Sequence, residues 1–171
     1  EQLFSRLHSS NLIPQLVEVF QQCEDLEDQP SLENCCRLAR MLVLHADFST
    51  AELLFSENHA LHIIGALEYD PDVPVRIKHR EFLREKVRFK EVIPITNEET
   101  VKRIHQIYRM QYVKDVVLPR LMDEPVYSCL SHMIMMGHMD VCNALSVQQS
   151  FFSNLFAKIR GSDRKSTRLN S

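Results

Sequence analysis

The chain has 171 residues, 44% of them hydrophobic and 25% charged, and a formal net charge of −3. That length holds one domain with a real core, or part of a longer array, and the negative balance argues against a global nucleic-acid or membrane-surface binder while leaving room for a local basic patch. Three glycines are too few for phosphate-cradling loops or for the tight hairpins of an all-β fold.

The predicted elements are helices. Leu3, Phe4 and Leu7 already fall on a helix face, and the absence of an initiator Met reads as a fragment of something longer. From Asn11 to Asp28 the apolar residues Leu12, Ile13, Leu16, Val17, Val19, Phe20, Cys23 and Leu26 keep the spacing of one buried stripe. Pro14 suits a first turn, where its missing N–H costs nothing. After the Gln29-Pro30 break, Ser31 is the expected N-cap of a helix running to about Ala46. That helix contains the adjacent Cys35 and Cys36, which cannot bridge each other comfortably and read as small core residues. With no secretory signal at Glu1-Gln2-Leu3, the five cysteines are expected as reduced thiols inside the cell. No stretch approaches the ~20 apolar residues that span a bilayer.

Ser49 or Thr50 is the expected cap of a short helix through Phe55, and a second runs from Glu57 to Leu67. Asp70-Pro71-Asp72-Val73-Pro74 makes a stiffened corner. Lys78 to Phe89 is helical by pattern, with Phe82, Leu83 and Val87 inward and Phe89 likewise buried. Asn97 followed by Glu98 and Glu99 is the strongest helix start in the chain. Its helix places Val101, Ile104, Ile107 or Tyr108, Tyr112 and Val116 on one side and ends near Pro119. Asp123 and Pro125 open another helix, Gly137 offers it a stop, and a further helix starts at about His138. Ser146 with Gln149 is a capping-box pattern. The last helix is expected to bury Phe151, Phe152, Leu155, Phe156 and Ile159. The pattern stops after Arg160, so the helical domain is read as 1–160, with 161–171 a disordered tail or an appended remnant. Short helices at roughly 40 residues per pair suggest a repeat of αα-hairpins, and Pro94 discourages a strand at Val92-Ile93-Pro94-Ile95.

Several words in the chain are similar to one family. Leu67-Glu68-Tyr69-Asp70-Pro71, Lys78-His79-Arg80-Glu81-Phe82-Leu83, Phe89-Lys90-Glu91-Val92-Ile93-Pro94-Ile95 and Ile104-His105-Gln106-Ile107-Tyr108-Arg109-Met110-Gln111-Tyr112 resemble the central domain of the SMEK proteins, regulatory subunit 3 of protein phosphatase 4. Cys23-Glu24-Asp25-Leu26-Glu27 and Phe55-Ser56-Glu57 agree. The likeness runs from about Phe20 to Pro119, and more weakly to about Ala157. It implies an all-α, armadillo- or HEAT-like helical-repeat solenoid. It also implies a noncatalytic subunit, without cofactor, that scaffolds and targets a Ser/Thr phosphatase in nucleus and cytoplasm. The implied partners are the phosphatase 4 catalytic subunit, a companion regulatory subunit and substrate phosphoproteins. The implied processes are the DNA-damage response, chromosome and centrosome function, and insulin-linked longevity signalling.

The residues themselves offer no P-loop, GxGxxG, GxSxG or HExxH, and no grouping of Asp, His and Asn suited to a two-metal phosphatase site. Cys129 and His132 are i,i+3 neighbours and His138 and Cys142 are i,i+4. A helical hairpin turning at Gly137 would bring these four zinc-type ligands together; the competing reading is reduced Cys and His scattered in helical packing. Arg76, Lys78, Arg80, Arg84, Lys86, Arg88 and Lys90 form a basic run. It reads as a solvated helix face with Glu pairs, as a dock for an acidic partner with Arg80 and Arg84 one turn apart, or, as the less favoured partner, a nucleic-acid surface. Tyr108, Arg109 and Tyr112, with Gln111, make a candidate recognition strip of the kind solenoids present, against the alternative of half-buried ring packing. Met133, Met135, Met136 and Met139 read as core filler.

Overall fold

Every regular element of the computed structural model is a helix, across a backbone described for residues 11–169 and side chains described for 11–161. The face proposed at Leu3, Phe4 and Leu7 lies outside the described residues. α1 (Leu12–Asp25) carries Pro14 in its first turn and buries Ile13, Leu16, Val17, Phe20 and Cys23. It ends without glycine. Glu27 takes φ 52° so that Asp28 N–H reaches the Cys23 carbonyl and Glu27 N–H the Glu24 carbonyl, at 3.0 and 3.1 Å, the paired bonds that close a helix through a left-handed residue.

Two caps differ from expectation, for one reason. α2 (Gln29–Leu44) is capped by Asp28, whose carboxylate accepts from Ser31 N–H. α3 (Phe48–Leu54) is capped by Asp47, which accepts from Thr50 N–H at 2.8 Å. In both places a carboxylate stands upstream of the predicted hydroxyl cap, so the helix begins earlier, and Pro30 becomes a first-turn residue rather than a break. α4 (Ala60–Leu67) then packs against α1 and α2. Cys23, Cys35 and Cys36 are buried with Phe20, Leu42, Val43, Ile63 and Ile64 in one continuous core, and burial pushes the Cys35 thiol up to about 11.

α5 (His79–Glu81) is brief and passes into a π turn at Phe82–Lys86; the chain is extended by Val87. The predicted helix to Phe89 therefore stops early, and Phe82 and Phe89 stay about half exposed rather than buried. α6 (Glu98–Tyr112) is capped as predicted: the Asn97 side chain accepts from Glu99 and Thr100 N–H. Its core side is Thr100, Ile107 and Met110. Val101, Ile104, Tyr108 and Tyr112 occupy the other side and Val116 is exposed, so the sequence-based stripe is rotated away from the core. A second π turn, Val113–Val117, follows and seats Leu118 in the core.

α7 (Glu124–Val147) starts at Asp123 and Pro125 as predicted and runs unbroken through Gly137. Gly137 is no stop. A Cβ there would sit 2.8 Å from Ile107 Cγ1, so the residue is small where α6 packs closely on α7. Ser146 donates to the Asn143 carbonyl inside α7, and no capping box forms with Gln149. α8 (Gln149–Leu169) continues in backbone past Arg160 and Gly161, while 170–171 lie outside the described residues. Phe152, Phe156 and Ile159 are about half exposed rather than buried, because among the described residues no element covers that face. Met135, Met136 and Met139 are likewise exposed, and Met133 alone of the four reaches the core. Among the described residues no helix is long and apolar enough to cross a membrane.

Candidate functional site

The basic run is divided by the fold. In its first half, Arg80 turns inward and the partly exposed Arg76 is tied to the same internal acids. Arg80 Nη1 donates to Glu24 Oε2 at 2.8 Å and Nη2 pairs with Glu24 Oε1, a bidentate guanidinium–carboxylate contact across α1 and α5. The Arg80 backbone N–H donates to Glu68 Oε1 at 2.6 Å. Arg76 pairs with Glu68 Oε2 at 3.3 Å and lies 3.6 Å over the Tyr69 ring, and the Tyr69 hydroxyl donates to Glu24 at 2.9 Å. Arg80 and Glu68 are only 17% and 3% exposed in their side chains. Burial pulls the Glu24 carboxyl upward, yet hydrogen bonds from Arg80 and Tyr69 and the charges of Arg80 and Arg76 outweigh it and leave the group below its ordinary value. Gly65 belongs to the same unit: a Cβ there would stand 2.6 Å from Arg80 Cδ and Cζ. Arg76 and Arg80, proposed to meet a partner, thus have their charges answered inside the fold.

Lys78, between those two arginines, and the whole second half turn outward. Lys78 pairs with Glu81 at 3.0 Å. Arg84, Lys86, Arg88 and Lys90 are exposed and have no carboxylate partner among the described residues. The early end of the helix is what frees them: past the π turn the chain runs extended alongside α6, and a groove of about 290 Å³ opens between the two. Leu61, Leu83 and Ile104 floor it, and Arg88, Lys90 and Arg109 stand at its sides. Phe89 meets the His105 ring edge-on at 5.1 Å. No carboxylate lines it.

Arg109 is the unusual member. Four described arginines are partly buried: Arg40, Arg80, Arg103 and Arg109. Arg40 has Asp70 at 2.6 Å, Arg80 has Glu24, and Arg103 has Glu52 at 2.8 Å and Asp140 at 3.0 Å. The Arg109 guanidinium has no ion pair or hydrogen bond among the described residues. Burial pushes its guanidinium below the ordinary arginine value, with Glu57 opposing only from a distance. Beyond Arg109 the groove meets a second cleft of about 300 Å³ containing Glu57, Glu99, Lys102 and His105. There Lys102 is answered by Glu99 at 2.8 Å. Burial and the nearby Arg109 hold the His105 ring below the ordinary histidine value.

Of the predicted tyrosine strip, Tyr108 is 41% exposed at the groove. Tyr112 is an internal prop: its ring stacks on Phe82 and on Tyr108, at 5.7 and 6.5 Å between centroids, and its hydroxyl is 2.9 Å from His79 Nδ1. The zinc-type set does not converge. With α7 continuous, Cys129 and Cys142 are ~20 Å apart along the axis, and His132 and His138 point to well-separated sides. No group of three or more His, Cys, Asp or Glu side chains able to hold a metal comes together among the described residues. Sequence reasoning missed Glu24, Glu68, His105 and Leu61. The readable signal for the first two was an acid set directly beside buried Cys23 and Leu67.

Helices joined as hairpins around a continuous core, with charged clefts between them, define an all-α helical-repeat protein. A family model for phosphatase 4 regulatory subunit 3 matches residues 1–170, and the chain belongs to that family, whose members are phosphatase regulatory subunits. It is 34% identical over 169 residues to "Suppressor of Mek1" of Dictyostelium discoideum, covering 97% of this chain and 16% of the relative. It is 35% identical over 159 residues to an uncharacterized protein of Schizosaccharomyces pombe, covering 92% of this chain and 19% of the relative. The chain therefore spans less than a fifth of the length of these relatives. No solved structure matches it.

Proposed function

We propose that the chain is the helical-repeat portion of a noncatalytic scaffold that holds the phosphatase 4 catalytic subunit, or its companion regulatory subunit, near phosphorylated substrates. The observation carrying this reading is the family match along essentially the whole chain. The groove beside α6 adds a surface suited to contact rather than chemistry: it offers cations and apolar floor but no nucleophile–base pair. Nuclear and cytoplasmic action, in the DNA-damage response, chromosome and centrosome function and insulin-linked longevity signalling, follows from the SMEK resemblance and is part of the proposal. Affinity capture of the tagged chain with mass spectrometry tests it. Phosphatase 4 subunits are expected in the captured set, and a set lacking them overturns the reading. The variant to compare is Arg84→Glu with Lys86→Glu, since reversing Arg80 would unbalance the interior. Nucleic-acid binding through Arg76–Lys90 is the weaker reading, because Arg80 is withdrawn onto Glu24 and the exposed Arg76 is already paired with Glu68; no measurable affinity for DNA at low salt removes it.

A further inference from the structure

We propose that the groove between the Val87–Lys90 segment and α6 is a docking site for an extended acidic peptide of a partner protein, with an apolar side chain set between carboxylates. The inference rests on the scaffold reading only for the partner's being a protein; the chemistry comes from the groove. A cavity of about 290 Å³ floored by Leu61, Leu83 and Ile104 has room for a large apolar side chain. Extended backbone laid along α6 would then carry its flanking carboxylates to Arg88 and Lys90 on one wall and Arg109 on the other.

Charge complementarity selects the occupant. A buried charge is ordinarily paired, and this fold pairs the other three partly buried arginines with carboxylates at 3.0 Å or less. Arg109 is the exception among the described residues, and the carboxylate its fork geometry fits must come from elsewhere. Glu57 and Glu99 in the neighbouring cleft disfavour a doubly charged phosphate close by, so the singly charged carboxylate is the better match. An aromatic nucleic-acid platform is less suited: Phe89 is edge-on to His105, and one face of Tyr108 is stacked on Tyr112.

The test is fluorescence anisotropy of the whole chain with the labelled peptide Asp-Glu-Asp-Phe-Asp-Glu-Glu. Comparison probes carry Ser in place of Phe, Asn and Gln in place of the acids, or phosphoserine in place of the Asp that follows Phe, and an oligodeoxythymidine is titrated alongside. Saturable binding of the acidic peptide is expected, lost with the amide probe and weakened with the Ser probe. Arg109→Gln should weaken it about tenfold or more, and Arg109→Lys should recover part of the loss. Unchanged affinity in Arg109→Gln overturns the inference. So does equal affinity for the Ser probe, tighter binding of the phosphoserine probe, or tighter binding of the oligonucleotide. Thermal unfolding of each variant checks the fold. If Arg109→Gln unfolds early, Arg88→Glu with Lys90→Glu, both on exposed positions, takes its place: lost peptide binding supports the site, and unchanged affinity overturns it. Loss of peptide binding while phosphatase subunits are still captured separates this site from the scaffold reading itself.

Discussion

The sealed cluster around Arg80 and the open groove around Arg109 use the same chemistry to opposite ends. Both hold an arginine partly withdrawn from water beside aromatic rings. In the first, Glu24 from α1 and Glu68 from the end of α4 meet the guanidinium, and the cluster ties three elements together. In the second no carboxylate arrives, and the cation faces an apolar trough. A guanidinium is bound into the structure or left for a partner according to which backbone passes within reach, which residue type alone does not decide.

The largest expected effect breaks the sealed side. Arg80→Met leaves Glu24 and the nearly inaccessible Glu68 without their main counter-charge, and removing one member of a buried ion pair costs about 3–5 kcal/mol. Chemical denaturation should show a loss near the lower figure, because Arg76 remains. Gly65→Ala comes next. Its new methyl group must displace a guanidinium pinned by Glu24, a small-to-large change costing about 1–3 kcal/mol. In an Arg80→Met background most of that cost should vanish, and a double-mutant cycle measures the difference.

Acid tests the same cluster more gently. Glu24 has a folded value below its unfolded one, so its contribution is present above the unfolded value of roughly 4.3 and is lost as pH falls through the folded value. Glu24→Gln should therefore flatten the stability–pH profile below about pH 4. A mutant that keeps the wild-type acid slope would place that slope on another group. The smallest stability effect belongs to the open side: Arg109→Gln removes no bond, so a change within about 0.5 kcal/mol is expected. A large loss would mean that Arg109 is held by the fold after all, and the contrast between the two regions would collapse.

Helix content, the start at Asn97, the start at Asp123-Pro125 and most of the buried faces of α1 and α2 were legible in the sequence, because they depend on neighbours three or four residues away, although Val19 and Leu26 of the expected stripe are exposed. The family was legible too, since long words in order carry it. The ends of helices were less so. Glu27 closes α1 without glycine, and carboxylates displaced hydroxyl caps at Asp28 and Asp47.

Tertiary structure alone decided the rest. Gly137 reads as a stop in one dimension and is a crossing point in three, where Ile107 needs the space; that single difference dissolved the hairpin on which Cys129, His132, His138 and Cys142 depended as a metal set. The run Arg76–Lys90 reads as one basic patch, yet Arg80 meets Glu24 from 56 residues away, a distance over which local pattern holds no information. Which face of α6 is buried also depended on where α7 lay, and so placed Tyr108 and Arg109 at a groove. Local sequence sets propensity and periodicity through near neighbours. The pairing or exposure of a charge is a property of elements distant in sequence, and only their packing settles it.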